Sequence, residues 1–343
     1  MKFVLTGGGT GGHLAIAKAL LEALNAQGDE AIFIGSTSGQ DKMWFEKGSA
    51  FGQTHFLETT GVVNRRGLAK LAALGRVFSS AKQARSILKD YRPDAVISVG
   101  GFSAAPASFA AISLGLPFFI HEQNAVTGRL NRLLRPFARF FFSSYDRKSP
   151  VKGYPVNRKF FENARLRTQI KTVIFLGGSQ GAKAINDFAL QVAPTLAERG
   201  IRIIHQCGLK DYERVLKAYE ALGINAELHG FSKELPALFS RSDLAVSRSG
   251  ASTLWELAAN GLPALYVPYP FAAGDHQYYN ATFLAEQGLS WVVREAVLDE
   301  ALLDEALLAG GLDGDIETAS SGLLALEHKD AAAEIMAKIR EVC

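Results

Sequence analysis

The 343 residues include only two cysteines, Cys207 and Cys343. Two thiols cannot build a disulfide framework, so a reducing compartment is expected. No apolar run reaches the roughly 18 residues needed to cross a bilayer. The chain enters a strand-like run by Phe3 with no basic stretch before it, and no signal peptide is expected. Solenoid repeats and low-complexity tracts are missing as well. Acidic residues are scarce in one region: residues 59–145 hold only Asp90, Asp94 and Glu122 against twelve Lys and Arg. The imbalance reaches across the halves, with 19 basic and 10 acidic residues in 1–155, and 18 and 24 in 156–343. A uniformly solvated surface does not need such asymmetry, which points to an anionic partner for the first half.

The most informative stretch is FVLTGGGTGGH, Phe3 to His13. A short apolar strand empties into glycines, and a helical repeat follows through Leu14, Ala17, Leu20, Leu21 and Leu24. A strand, a glycine turn and a helix N-terminus form an anion site, because free N–H groups point outward and glycine lets a ligand approach the backbone. Gly7, Gly9 and Gly12 also fit the dinucleotide fingerprint. That fingerprint needs a carboxylate at the end of the second strand to hold ribose. The strand Ala31 to Ile34 ends instead in Gly35-Ser36-Thr37, which argues against a nicotinamide cofactor. A second such opening runs from Thr172 to Leu176 into GGSQGA, Gly177 to Ala182.

Strands and helices alternate along both halves. A long helix is expected over 67–89, with Leu71, Leu74, Phe78, Ala81 and Leu88 on one stripe. Leu68, Leu71, Leu74, Val77 and Phe78 exceed what one buried face needs, so some of them are expected at the surface. Ala95 to Val99 reads as a buried strand running into GGFS, and Pro117 to Ile120 as another ending in HEQN. In the second half, Leu244 to Val246 meets RSGAST, and Asp275-His276-Gln277 opens a further helix. Such alternation predicts doubly wound parallel sheets, with ligands beyond the strand carboxyl ends. Gly153 to Val156 reads as a linker. The expected domains are 1–156 and 157–326, with a terminal helix at about 327–343 packing back on the first. Glu256 is expected within the first turn or so of its helix, where the dipole favours a carboxylate. Asp313-Gly314-Asp315 has the form of a metal-binding D-x-D but reads as a plain glycine turn.

GGGTGGH, GGFSAAP, HEQN, GGSQGA, RSGASTLWE and DHQYYNA, in this order and spacing, resemble the MurG family over residues 1 to 285. These are inverting transferases that carry N-acetylglucosamine (GlcNAc) from UDP-GlcNAc to lipid I, forming lipid II. The resemblance implies a GT-B fold, α/β, with two Rossmann-like domains and a cleft between them. It implies no cofactor, no metal and no nucleic-acid partner. It places the protein at the cytoplasmic face of the bacterial inner membrane, peripherally, with the basic first domain against anionic lipid.

Residue by residue, the resemblance implies that Ser179 holds diphosphate and Glu256 the ribose hydroxyls. Ala251, Ser252 and Thr253 would contact phosphate, and Phe231 and Ser232 would border uracil. His276 and Gln277 would face the sugar, while Thr10, Gly11, Gly12 and Asn124 complete the site from the first domain. His13 is the candidate base and Glu122 the alternative. A histidine in the first helical turn is kept neutral by the dipole and can accept a proton. The chain departs from the family in three places: Phe102 replaces a common Tyr, GGH runs straight to Leu14, and GYPVNR puts Asn157 where the family has arginine. Two other readings share part of the pattern. Another GT-B sugar-nucleotide enzyme, an epimerase or a glycolipid synthase, would keep the nucleotide motifs without HEQN and GGTGGH. A non-catalytic UDP-GlcNAc sensor would not need His13.

Overall fold

The computed structural model describes residues 1–46, 51–61, 67–178, 181–299, 313–326 and 329–343, without the side chains of 68, 70, 313 and 314. They divide into two compact units, Met1–Val156 with Asp330–Cys343, and Asn157–Lys329.

The first unit is built on strands β1 (Lys2–Thr6), β2 (Glu30–Ser36), β3 (Gln53–Leu57), β4 (Ala95–Ser98), β5 (Phe118–His121) and β6 (Phe140–Phe142). All pair in parallel, in the order β3-β2-β1-β4-β5-β6. Phe3, Val4 and Leu5 are fully buried, as are Val96 and Ile97. Both faces of these central strands are covered, as continuous apolar runs require. The covering helices are α1 (Gly11–Ala26), α2 (Asp41–Phe45), α3 (Gly67–Tyr91), α4 (Ala105–Ser113) and α5 (Arg129–Leu134). Strand order reverses between β1 and β4, which opens a crevice above their carboxyl ends.

The second unit repeats the plan with β7 (Thr172–Leu176), β8 (Arg202–Gln206), β9 (Glu227–His229), β10 (Leu244–Ser247), β11 (Ala264–Tyr266) and β12 (Trp291–Val292). The order is β12-β11-β10-β7-β8-β9, so its reversal lies between β7 and β10. Its helices are α6 (Lys159–Glu162), α7 (Lys183–Glu198), α8 (Tyr212–Leu222), α9 (Leu235–Ser240), α10 (Ala251–Ala259), α11 (His276–Ala285) and α12 (Asp313–Leu326). A final helix, α13 (Ala331–Arg340), belongs to the first unit and packs on α1. The Arg340 guanidinium pairs with Asp29, whose carboxylate also takes the Met1 amine at 2.8 Å.

Arg167 is wholly buried, and its guanidinium donates to the carbonyls of Arg165, Phe239, Ser242 and Asn260 and to the Asn260 side chain. This buried cation ties the chain entering β7 to the ends of α9 and α10.

Three expectations are corrected. The buried stripe of α3 is Ala73, Ser80, Ala84 and Leu88, while Leu71 and Phe78 are each 65% exposed. Small residues face inward because α3 lies closely against α4. Asp313-Gly314-Asp315 opens α12 rather than forming a free turn. Glu256 is the sixth residue of α10, beyond its first turn. Tyr154 and Val156 of the segment read as linker are buried, and the two units divide directly after Val156.

Candidate functional site

In the first unit, the loop after β1 and the loop after β4 grip each other at the crevice. Gly8 N–H donates to the Gly100 carbonyl at 3.0 Å. Gly101 has φ 80, and a Cβ there would collide with the Gly8 carbonyl oxygen. Glycine is therefore required by both conformation and space. From outside the motif, buried Asp41 accepts Gly9 N–H at 2.5 Å and Ser36 N–H at 2.8 Å. Burial raises its pKa even against those hydrogen bonds.

Thr10 caps α1 in an extended conformation, and Gly11 and Gly12 begin the helix. His13 is its third residue. Its Nδ1 lies 2.9 Å from Thr10 Oγ1, and its Nε2 lies 3.1 Å from the Gln123 side-chain nitrogen. The Thr10 hydroxyl can donate or accept, and the Gln123 nitrogen also lies 3.4 Å from Nδ1, so either ring nitrogen can carry the proton. Gln123 stands in HEQN but was not singled out from the sequence.

Glu122 is held differently. Its carboxylate accepts Asn124 N–H at 3.0 Å, Gly128 N–H at 2.9 Å and Asn131 Nδ2 at 2.9 Å. Three donors anchor the loop 122–128 and take three of the roughly four acceptor sites of the carboxylate. Beside it His121 is fully buried, and its pKa is pushed down to about 3 by burial and by the charge of His13 nearby. It is a neutral imidazole.

In the second unit, Gly177 N–H donates to the Gln206 carbonyl at 2.8 Å, turning the loop after β7 toward the N-terminus of α7. Ser179 lies outside the described residues. Under this loop Asn186 donates to the Cys207 carbonyl at 2.9 Å and accepts from His205 at 3.1 Å. The loop after β10 leads through Ser249 and Gly250 into α10, whose first residues are Ala251, Ser252 and Thr253. Ser252 Oγ donates to Glu256 Oε1 at 2.9 Å. Burial raises the Glu256 carboxyl to about 7, against that one hydrogen bond. A carboxylate so poorly supplied is matched by a ligand with hydroxyls to donate.

His276 and Gln277 begin α11, and Asn280 of that helix donates to the Ser249 carbonyl at 3.2 Å, fastening α11 to the β10 loop. Gln277 Oε1 accepts Tyr269 N–H at 2.9 Å, and His276 Nδ1 lies 2.9 Å from the Ala273 carbonyl. Phe231 is 51% exposed after β9, next to Ser232, whose hydroxyl accepts Glu234 N–H. Thus Ala251 to Thr253 and Glu256 follow β10 at the reversal of the second sheet, and α11, which opens with His276 and Gln277, is fastened to the same loop through Asn280. Thr10 to His13 and Asn124 gather at the reversal of the first sheet.

Away from these sites, α3 and α4 enclose a groove of about 730 Å³ lined by Leu74, Val77, Phe78 and Phe109, with Lys82 and Arg85 among its walls. Lys82 Nζ sits 4.8 Å over the Phe78 ring. Arg65 and Arg66 lie outside the described residues, as does the Lys70 side chain. Among the described residues no helix is long and apolar enough to cross a membrane, and no three His, Cys, Asp or Glu side chains are grouped to hold a metal ion.

The glycosyltransferase family 28 N-terminal domain matches residues 3–143, and the family 28 C-terminal domain matches 172–335. The UDP-N-acetylglucosamine–N-acetylmuramyl-(pentapeptide) pyrophosphoryl-undecaprenol N-acetylglucosamine transferase of Sulfurimonas denitrificans is 62% identical over 295 residues, 86% of this chain and 87% of the relative. The transferase of the same name from Wolinella succinogenes is 55% identical over 332 residues, 97% of each chain. Among solved structures, MurG of Acinetobacter baumannii matches at a TM-score of 0.81 and 25% identity over 99% of both chains. A putative UDP-N-acetylglucosamine 2-epimerase from Listeria monocytogenes, 14% identical, matches at 0.66 over 99% of this chain and 95% of its own. That likeness is one of fold alone.

Proposed function

The chain belongs to the MurG family of N-acetylglucosamine transferases, and we propose that it moves GlcNAc from UDP-GlcNAc to the C4 hydroxyl of MurNAc in lipid I, giving lipid II. The observation that carries this reading is 55% identity over 97% of a relative bearing that name, in a chain that holds both loop sites. The epimerase likeness is too remote to compete.

In the reaction, the acceptor hydroxyl attacks the sugar C1 from the face opposite UDP. The bond from C1 to the β-phosphate oxygen breaks, and the electron pair leaves with UDP. His13 takes the hydroxyl proton. Its place in the first turn of α1 and its contacts with Thr10 and Gln123 support this role. Glu122, held by three donors, anchors the loop that carries Asn124 and is the alternative base. The second unit holds the donor: Glu256 takes the ribose hydroxyls, and the amides at the start of α10 and of the Ser179 loop face the diphosphate. Phe231 and Ser232 border the uracil, and His276 and Gln277 face the sugar hydroxyls.

The first unit, 1–156 with its terminal helix, is the acceptor and membrane side, and the unit from 157 onward is the donor side. A lipid-linked acceptor stays in the bilayer because each buried CH₂ is worth about 0.8 kcal/mol. The enzyme must therefore come to the surface. The exposed Leu71, Leu74 and Phe78 of α3, with Lys82 and Arg85, combine an apolar face with charge for anionic lipid. That face supports a peripheral position on a membrane surface, and the lipid I acceptor the cytoplasmic side of the inner membrane, where peptidoglycan synthesis would serve cell shape and division.

UDP release from UDP-GlcNAc, measured with and without a lipid I analogue, tests the function. Release that requires the acceptor is expected. Acceptor-independent formation of an epimer would replace this reading with the epimerase one.

A further inference from the structure

Arg294 and Glu295 stand next to one another just after β12, yet their side chains reach two different segments of the second unit. Arg294 donates from Nη1 to Asp275 Oδ1 at 3.0 Å and from Nη2 to Asp275 Oδ2 at 2.7 Å. Its guanidinium also lies 3.7 Å over the Tyr278 ring. Glu295 pairs with Arg248 at 2.6 Å. Arg248 in turn donates to the carbonyls of Val267 and Pro268, and its guanidinium lies 5.6 Å over the Tyr269 ring. The base of this strap is fixed, since Val293 N–H donates to the Tyr266 carbonyl at 2.9 Å.

Asp275 is an unusual residue to clamp. It caps α11 at φ 56, directly after Gly274 at φ 64. A side chain disfavours that left-handed conformation. Its carboxylate makes no capping bond to the helix, and both of its oxygens go to Arg294. The fork therefore holds in place the turn that aims the first residues of α11.

We infer that Arg294 and Glu295 are positioning residues for the donor sugar, a two-sided clasp that sets the start of α11, with His276 and Gln277, against the Arg248 turn before α10. Tyr269 joins the two sides, because it lies under Arg248 while its N–H binds Gln277. The inference rests on the donor-site reading above. Releasing the Arg294 side tilts α11 and shifts the sugar-facing groups. Glu256 and Phe231, on other elements, stay where they are. Affinity for UDP-GlcNAc should then fall while affinity for UDP does not.

Calorimetry with UDP and with UDP-GlcNAc on the full chain tests this. Arg294→Ala should weaken UDP-GlcNAc binding roughly two- to fivefold, the range of a partly exposed ion pair, with UDP unchanged. Arg294→Lys keeps charge without the planar fork and should fall between. In an Asp275→Gly background the left-handed turn no longer needs a clamp, so Arg294→Ala should add little. Thermal unfolding checks that each variant is folded. Unchanged UDP-GlcNAc affinity in Arg294→Ala, or an equal loss for both ligands, overturns the clasp. A wild type that binds neither ligand overturns the donor site and the clasp with it, whereas the ratio between ligands addresses the clasp alone.

Discussion

The Gln123 side chain places its nitrogen 3.1 Å from Nε2 of His13, across 110 residues of sequence. The contact ties the imidazole at the start of α1 to the loop after β5. Replacing His13 by Ala should lower kcat by about two to four powers of ten, as for loss of a general base, and leave UDP affinity intact. Near-normal turnover in a folded His13→Ala protein would show that the ring is only structural.

The same contact makes a pH prediction. A carboxylate in place of the amide favours imidazolium. Gln123→Glu should therefore move the acid limb of the kcat/KM profile to higher pH, whereas Gln123→Leu should lower the rate without that upward displacement. Superimposable limbs for wild type and Gln123→Glu would separate Gln123 from the chemistry.

Glu256 supplies a second titration. Burial lifts its carboxyl from 4.5 to about 7 in the free protein. Ribose hydroxyls donating to it favour the charged form, so donor binding should release a proton and strengthen as pH rises through about 7. The folding contribution has the opposite slope: with the folded value raised, stability is lost as pH climbs from the unfolded value through about 7. Calorimetry in buffers of different ionisation enthalpy should detect the released proton. Glu256→Gln should abolish it and weaken UDP by about 1.5–3 kcal/mol. Proton release that persists in Glu256→Gln would assign it to another group.

The α3 surface should bind anionic but not zwitterionic vesicles, at about 1 kcal/mol per nearby cation, and salt should weaken the binding. Lys82→Glu with Arg85→Glu should remove the lipid selectivity, and Leu74→Ser with Phe78→Ser the remaining attraction. UDP affinity should be unaffected, because these residues lie in the first unit. Vesicle binding equal to wild type in the charge-reversed protein would move the docking face elsewhere.

Arg167 is a stability prediction. Arg167→Leu leaves inward carbonyls without their donor and should cost at least about 1–3 kcal/mol, the penalty of an unsatisfied buried polar group. The melting transition of the second unit should fall while that of the first stays. A single undisplaced transition would contradict the role of this side chain.

The alternation of apolar strands and glycine turns made both sheets legible, because a parallel strand covered on two faces has to be apolar throughout. GGGTGGH and GGF marked their strand ends because two loops that crowd each other's backbone leave glycine as their signature, whereas Gly250 of RSGAST has open space around it and DHQ holds no glycine. Helix faces were less legible. In α3 the large apolar side chains point to solvent and the small ones inward, which periodicity alone cannot tell apart. Asp41, Gln123 and Arg294 were missed for a further reason. Each acts on a partner distant in sequence: Gly9, His13 and Asp275 lie 32, 110 and 19 residues away. No local pattern records such a contact. Glu122 entered as the alternative base through the family resemblance, and its three donors were not legible in the sequence.

The first unit takes its last helix from the far end of the chain. Buried Ile335, Met336 and Ile339 of α13 arrive only after all of residues 157–329 have been made. At a synthesis rate of about 5–20 residues per second, roughly 9 to 35 s pass between the two pieces. During that interval the nascent first sheet is on the ribosome with the α13-facing side of α1 uncovered and Asp29 without its arginine. The second unit, continuous in sequence, can finish folding first. Birth order and folding order are therefore opposed in this protein, and the half made first is the half completed last.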